Sequence, residues 1–160
     1  MLAEAARPHA LARGQIRVFA TDLSESAIST ARAGRYPAKR MAVIPHELRN
    51  RYFQPYGDTW VVRPELRAAL VFARHDLLRH PPLPSQDLIV CRNTLIYFTR
   101  DAQIRSLARL YLGLRADGRL FTGPAEDPRV WTDLFQANCF QHRVYCRTPG
   151  RTLQAIDLAA

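Results

Sequence analysis

Short apolar runs alternate with helix-patterned stretches along much of the chain, and several of these runs end in polar side chains. Residues 16–21 predict a strand that stops at Asp22. A helix is expected to follow, capped by Ser24 or Ser26 and stopped by Gly34, which suits a left-handed C-cap. A strand joined directly to a helix is a βα unit, so the pattern favours a single α/β domain with a mostly parallel sheet.

The middle of the chain departs from this alternation and predicts a small antiparallel β-subdomain at about residues 45–67. Residues 45–52 suit a short helix, and Gly57-Asp58 is turn chemistry. We expect that turn to join the strands on either side of it as a hairpin. A strand over residues 70–73 then resumes the α/β pattern.

Residues 87–98 are the most informative part of the chain. This apolar run is rich in β-forming residues and ends abruptly in Cys91-Arg92-Asn93, which predicts a buried parallel strand with polar groups at its carboxyl end. Ligands bind outside the carboxyl ends of the strands in open α/β sheets. A guanidinium, an amide and, four residues on, the phenol of Tyr97 therefore indicate a binding pocket.

The rest of the chain is expected to complete the same domain. The further elements predicted are helices over residues 2–12, 101–114 and 131–138, a strand over residues 119–122 and a final edge strand over residues 140–147. Asp117-Gly118 is expected to turn the chain into the first of these strands. We place one domain at residues 1–150 and a tail at residues 151–160.

The composition is that of an ordinary globular domain, with 48% hydrophobic and 23% charged residues in a chain of 160. No apolar run approaches the roughly 20 residues of a membrane helix, so no membrane insertion is expected. The three cysteines and five histidines are scattered, which predicts no metal site and reduced thiols in the cytoplasm. The net charge of +9 favours an acidic protein, a nucleic acid or an anionic surface as partner. Because no recognition motif is present, we do not expect nucleic-acid binding.

Six segments match, in the same order, the motifs of one known family. They are residues 19–22, 31–36, 51–53, 71–78, 87–98 and 114–121, the last followed by Gly123 and Glu126. On these motifs the chain resembles the chemotaxis receptor methyltransferases of the CheR type from about residue 16 to residue 147. The resemblance implies a Rossmann-like methyltransferase sheet with an inserted antiparallel β-subdomain, and S-adenosylmethionine as the cofactor.

The resemblance also implies which residues bind the cofactor. Asp22 stands where the family has a carboxylate for the ribose hydroxyls. Asp76 and Leu77 stand at an Asn-Leu pair that contacts the adenine; the Asp76 carboxylate can accept from the adenine amino group but cannot donate to a ring nitrogen. Arg92 and Asn93 match the pair nearest to the cofactor and the substrate.

Arg92 and Tyr97 are the implied catalytic residues, since a guanidinium can hold a carboxylate through paired hydrogen bonds and a phenol can orient the accepting one. A glutamate is already ionised near pH 7, so its methylation needs alignment with the donor and little acid–base chemistry. The implied function is methylation of glutamate carboxylates on the acidic cytoplasmic helices of chemotaxis receptors. From the residues alone, a turn aspartate at Asp22, an ion-paired Arg92 and a core Tyr97 are the alternatives.

The family's first strand and donor-binding loop have no counterpart in this sequence. We therefore expect an N-terminally truncated domain with weak or no activity of its own. The strands predicted at residues 16–21 and 88–91 would normally flank that first strand. Left without a partner, they would expose sheet edges and invite self-association. Alternatively, these two strands pair directly and a smaller sheet survives. A non-catalytic interaction module, or a degenerate fragment, is the alternative function.

Overall fold

The computed structural model describes residues 16–151 and residue 153 of the chain. The chain divides into two compact units, Met1–His75 and Asp76–Ala160. The helix expected over residues 2–12 and most of the expected tail lie outside the described residues. Within the described part, no helix has the length and apolar character needed to cross a membrane.

Strands and short helices alternate in the first unit. In chain order they are β1 (Val18–Asp22), α1 (Glu25–Ala33), β2 (Arg35–Pro37), α2 (Ala38–Met41), α3 (His46–Tyr52), β3 (Phe53–Tyr56), β4 (Thr59–Val62), α4 (Pro64–Arg67) and β5 (Leu70–Arg74). β1 and β5 pair in parallel, from Val18 opposite Leu70 to Asp22 opposite Arg74. The expected strands at residues 16–21 and 70–73 are therefore confirmed, and Asp22 lies at the carboxyl end of β1.

Helix α1 begins and ends where the local chemistry predicts. The Ser24 hydroxyl accepts from the Ala27 N–H at 3.2 Å, which satisfies one of the free donors of the first turn. Gly34 ends the helix in the left-handed conformation, with φ at 61°. The guanidinium of Arg67 donates to the carbonyls of Ala33 at 3.2 Å and Arg32 at 2.5 Å, so it binds two of the last carbonyls of α1.

An antiparallel sheet of three strands follows, in the order β2-β4-β3. The expected hairpin is confirmed, because β3 and β4 pair from Phe53 opposite Val62 to Tyr56 opposite Thr59, with the Gly57-Asp58 turn between them. Sequence patterning missed β2, a strand of only three residues that is held by its pairing with β4.

The second unit contains a larger sheet and a longer helix. Its elements are β6 (Gln86–Cys91), a 3₁₀ turn (Leu95–Tyr97), α5 (Arg100–Gly113), β7 (Leu114–Thr122), a 3₁₀ turn (Pro128–Val130), β8 (Phe135–Cys139) and β9 (Val144–Arg147). The strand order is β6-β7-β9-β8. β6 and β7 are parallel, with α5 as the crossover between them, which is the βαβ arrangement expected here.

The main hydrophobic core lies in this second unit. Its innermost side chains are fully enclosed and come from the 3₁₀ turn after β6, from α5 and from the sheet: Leu95, Leu107, Ala108, Leu120 and Tyr145. Thr99 caps α5 by accepting from the Ala102 N–H, and one face of the helix is buried along its length. The core therefore anchors β6 and the turn that follows it.

Three expectations for the C-terminal part are wrong. The helix expected over residues 131–138 is replaced by strand β8, because Phe135 inserts into the core edge-to-face against Tyr111, with ring centroids 5.8 Å apart, and β9 supplies the backbone partners of β8. The expected edge strand is β9, which lies inside the sheet between β7 and β8. β7 also starts earlier than expected, at Leu114, and the expected turn at Asp117-Gly118 falls in an irregular stretch of that strand.

The described residues thus form a mixed α/β structure with open sheets. Their pairings make three sheets of two, three and four strands, rather than one mostly parallel sheet. β1 pairs on one side only, with β5, and β6 is an outer strand of its own sheet. The burial expected for β6 is therefore wrong, since Leu88 is 39% and Val90 57% exposed.

Candidate functional site

The loop that follows β6 has an unusual backbone conformation. Arg92 and Asn93 leave the strand at its carboxyl end, and Asn93 adopts a left-handed φ of 55°. Asparagine tolerates this conformation better than most residues do, although it still costs free energy. The chain then closes into the 3₁₀ turn Leu95–Tyr97, so the polar residues of the loop occupy the end of a parallel strand.

A buried carboxylate from a distant part of the chain holds this loop. Glu126 is 0% exposed. Its Oε2 accepts from the N–H of Asn93 at 2.7 Å, and its Oε1 accepts from the N–H groups of Thr94 at 2.8 Å and Leu95 at 2.7 Å. Oε2 also accepts from the Gly123 N–H at 2.8 Å. Four backbone donors therefore converge on one side chain.

The surroundings of Glu126 fix its own position. The hydroxyl of Thr122, at the end of β7, donates to the Glu126 carbonyl at 2.5 Å. On the other side of the loop, the side-chain amide of Gln103, in α5, donates to the Leu95 carbonyl at 2.9 Å. Both Thr122 and Gln103 are buried. The loop is thus bonded to the end of β7 and to the first turns of α5.

Arg92, Asn93 and Tyr97 are exposed, whereas Leu95 between them is buried in the core. The Arg92 guanidinium lies 4.8 Å from the centre of the Phe121 ring, in a cation–π arrangement. Tyr97 is 80% exposed, so the alternative of a core tyrosine is wrong. The alternative of an ion-paired Arg92 finds no carboxylate partner among the described residues. These groups are free to meet a ligand.

Cys91, the last residue of β6, stands inside the site as an unreactive thiol. Burial raises the pKa of Cys91 to about 11, and the nearby Glu126 charge adds to the increase. A neutral thiol is a poor nucleophile. Cys91 therefore belongs to the packing beneath the loop.

Asp22 in the first unit has a turn contact and one free oxygen. Its Oδ1 accepts from the Ser24 N–H at 2.8 Å, while no described residue donates to its Oδ2. The turn alternative is thus correct for one oxygen, and the exposed second oxygen at the carboxyl end of β1 fits a hydroxyl donor such as a ribose.

Asp76 and Leu77 are both partly enclosed in the second unit. Oδ1 of Asp76 accepts from the Leu78 N–H at 2.8 Å, and its Oδ2 lies 3.8 Å from Nε of Arg79. Leu77 packs against the hydrophobic core. Asp76 therefore stabilises its own turn, and one of its oxygens is left with only a long ion pair.

The expected site residues are divided between the two units. Asp22 belongs to the first unit, and Asp76, Leu77, Arg92, Asn93 and Tyr97 belong to the second. Within the second unit, Arg92 and Asn93 share one clamped loop with Tyr97 at its end. Sequence reasoning did not assign a role to Glu126, although the residue lies in one of the matched motifs; the motif was the available signal.

Comparison with known proteins decides the family. The family described as "CheR methyltransferase, SAM binding domain" matches residues 1–144. The chain belongs to the CheR methyltransferase family. A chemotaxis protein methyltransferase of Listeria innocua is 38% identical over 109 residues, which cover 68% of this chain and 42% of that protein. The chemotaxis protein methyltransferase Cher2 of Pseudomonas putida is 34% identical over 142 residues, which cover 87% and 49%.

A segment similar to this chain also occurs in a much larger protein. An uncharacterized 104.1 kDa protein of Rhodobacter capsulatus is 40% identical over 130 residues, which cover 81% of this chain and 14% of that protein. The CheR chain spans less than half the length of the curated relatives named here. The family description indicates S-adenosylmethionine as the cofactor.

Proposed function

We propose that this CheR chain binds S-adenosylmethionine and methylates glutamate carboxylates on the cytoplasmic part of chemotaxis receptors. The family match over residues 1–144 carries this proposal. The polar loop after β6 supports it, because this is where an open α/β sheet binds its ligand.

The proposed roles follow the chemistry of each side chain. The free oxygen of Asp22 accepts from a ribose hydroxyl, and the Asn93 amide bonds the polar methionine part of the cofactor. Leu77 offers an apolar surface to the adenine, and Asp76 can give its Oδ2 to the adenine amino group. Asp76 contributes less than the others, because its Oδ1 is already occupied by the turn.

The reaction requires alignment rather than proton transfer. Bound S-adenosylmethionine supplies an electrophilic methyl group on a sulfonium. A glutamate oxygen forms the new bond to carbon as the carbon–sulfur bond breaks, and the thioether takes the electron pair. Arg92 holds the accepting carboxylate, and the Tyr97 hydroxyl orients it so that one oxygen faces the methyl group.

The charge of the chain supports an acidic partner. The net charge is +9, and an exposed basic cluster lies between the end of α1 and α2: Arg32, Arg35, Lys39 and Arg40. Complementary charge raises the rate at which an acidic receptor helix is encountered. Chemotaxis receptors present such helices in the cytoplasm, where we place this chain.

Cofactor binding is the first test. We expect titration of the chain with S-adenosylhomocysteine by calorimetry to show micromolar binding. Asp22→Asn keeps an oxygen for the Ser24 N–H but replaces the free acceptor by an amide, so we expect roughly a tenfold loss of affinity or more. The matched control is Asp58→Asn, which changes an exposed aspartate of the β3–β4 turn and is expected to bind normally.

Absence of binding by the folded wild-type chain would overturn the proposal. A second assay follows methyl transfer from labelled donor to an acidic receptor fragment, with release of the label by alkali as the signature of a glutamate ester. Binding without transfer would favour the alternative of a non-catalytic interaction module.

A further inference from the structure

Glu126 takes no part in the chemistry just described, yet three of the four N–H groups that its carboxylate accepts belong to the loop that carries Arg92 and Asn93. We propose that Glu126 is a positioning residue, which fixes the backbone of residues 92–95 in the conformation that binds the cofactor. This inference rests on the proposed function. It concerns a side chain that touches neither cofactor nor substrate.

The first argument is the match between donors and acceptors. A carboxylate is an acceptor with about four lone-pair sites, and Glu126 receives four backbone N–H groups at 2.7–2.8 Å. Three of these groups are consecutive, from Asn93 to Leu95. Consecutive N–H groups that turn inward form an anion-binding concavity, and here a side chain of the chain itself fills it.

The second argument is backbone strain. Asn93 has a φ of 55°, a conformation that costs an asparagine free energy unless its surroundings enforce it. The N–H of Asn93 and that of the next residue bond to different oxygens of the same carboxylate. Release of Glu126 would leave these donors unpaired and allow the loop to relax into an extended conformation.

The third argument is that the space is shaped around this side chain. A Cβ on Gly123 would lie 2.5 Å from Oε2 of Glu126 and 2.9 Å from Oδ1 of Asn93. Only a glycine allows the carboxylate and the loop to approach β7 this closely. The Glu126 carboxylate therefore locks the loop against the end of β7.

The test combines amide hydrogen exchange with ligand binding. In the wild-type chain we expect slow exchange at the amides of Asn93, Thr94 and Leu95, which have no strand partner. Glu126→Gln has the same shape but presents an NH₂ group to these donors, so we expect their exchange to accelerate and the affinity for S-adenosylhomocysteine to fall roughly tenfold or more. Glu126→Asp keeps the charge and is expected to show smaller effects of both kinds.

The matched control is Asp127→Asn, which removes the adjacent carboxylate. Asp127 bonds to Arg129 and Arg143 and not to the loop, so its loss is expected to leave the three loop amides and the ligand affinity unchanged. The Leu120 amide of β7 reports on the core in every variant. Its exchange is expected to be unaffected, which separates positioning from general destabilisation.

Several outcomes would overturn the inference. Fast exchange of the loop amides in the wild-type chain would overturn it. This measurement needs no variant, so it remains decisive even if Glu126→Gln fails to fold. Unchanged exchange in Glu126→Gln would do the same, as would accelerated exchange with unaltered ligand affinity. If the wild-type chain bound no ligand, the proposed function would fail, while the exchange measurements would still decide whether Glu126 holds the loop.

Discussion

Replacing Gly123 by alanine should destabilise the second unit through a steric conflict with Glu126. The added Cβ would lie 2.5 Å from Oε2 of Glu126, which is 0.5 Å inside the 3.0 Å that real Cβ contacts almost never breach. The carboxylate cannot move away freely, because four N–H groups bind it. Either the loop shifts or hydrogen bonds break.

The expected magnitude follows from these two routes. Overpacking a well-filled site costs about 1–3 kcal/mol, and a lost hydrogen bond to a charged group costs about 1.5–3 kcal/mol. We therefore expect Gly123→Ala to lower the free energy of unfolding by about 1.5–3 kcal/mol, the range that the two routes share.

The two tryptophans allow each unit to be followed separately, since Trp60 lies in the first unit and Trp131 packs against the core of the second. The assay is urea denaturation in a Trp60→Phe background, so that fluorescence reports on the second unit. An unchanged slope with a lower midpoint would indicate a pure loss of stability.

Gly150→Ala is the matched control. Gly150 has a φ of 70° but no atom within 4 Å of its added Cβ, so its replacement costs only backbone strain of about 1 kcal/mol. If Gly123→Ala proved no more destabilising than Gly150→Ala, the close contact between Gly123 and Glu126 would not exist in solution, and the reasoning would be refuted.

Two further predictions concern Cys91 and Arg67. With the pKa of Cys91 at about 11, only about 0.1% of its thiol is ionised at pH 8. Iodoacetamide should therefore label Cys139 and Cys146 in the native chain and spare Cys91, which mass spectrometry would show. Rapid labelling of Cys91 would contradict its burial. Because this pKa is raised above its ordinary value of 9.0, folding stability should fall as the pH rises from 9.0 towards 11, and Cys91→Ala should weaken that fall. Arg67→Met should destabilise the first unit by about 0.5–1.5 kcal/mol, because two carbonyls at the end of α1 lose their donor. Trp60 fluorescence in a Trp131→Phe background would measure this loss. The stability of Arg67→Lys should lie between those of the wild-type chain and Arg67→Met. An unchanged denaturation midpoint in Arg67→Met would argue against this cap.

Elements fixed by local chemistry could be predicted from the sequence. Helix α1 is an example, because a serine cap and a glycine stop specify its ends whatever surrounds them. The β3–β4 hairpin is another, since Gly57 and Asp58 specify a turn within a few residues. The same holds for β6, whose apolar run ends at the polar loop of the candidate site.

Elements that depend on distant partners could not be predicted in this way. β8 is a strand because β9 pairs with it and Phe135 finds Tyr111 in the core. β2 has three residues and exists through its pairing with β4. The role of Glu126 depends on donors 31 to 33 residues earlier in the chain, a separation that no local pattern encodes.

The position of β9 inside its sheet has a consequence for how the protein is made. β9 comes last among the described strands, yet it joins β7 to β8 and contributes Tyr145, which is fully buried in the core. During synthesis the sheet cannot close before residues 144–147 have left the ribosome, and until then β7 and β8 lack their common neighbour. The four-stranded sheet of the second unit can therefore be completed only after β9 has been synthesised, and until then the edges of β7 and β8 that β9 will cover are open to other strands.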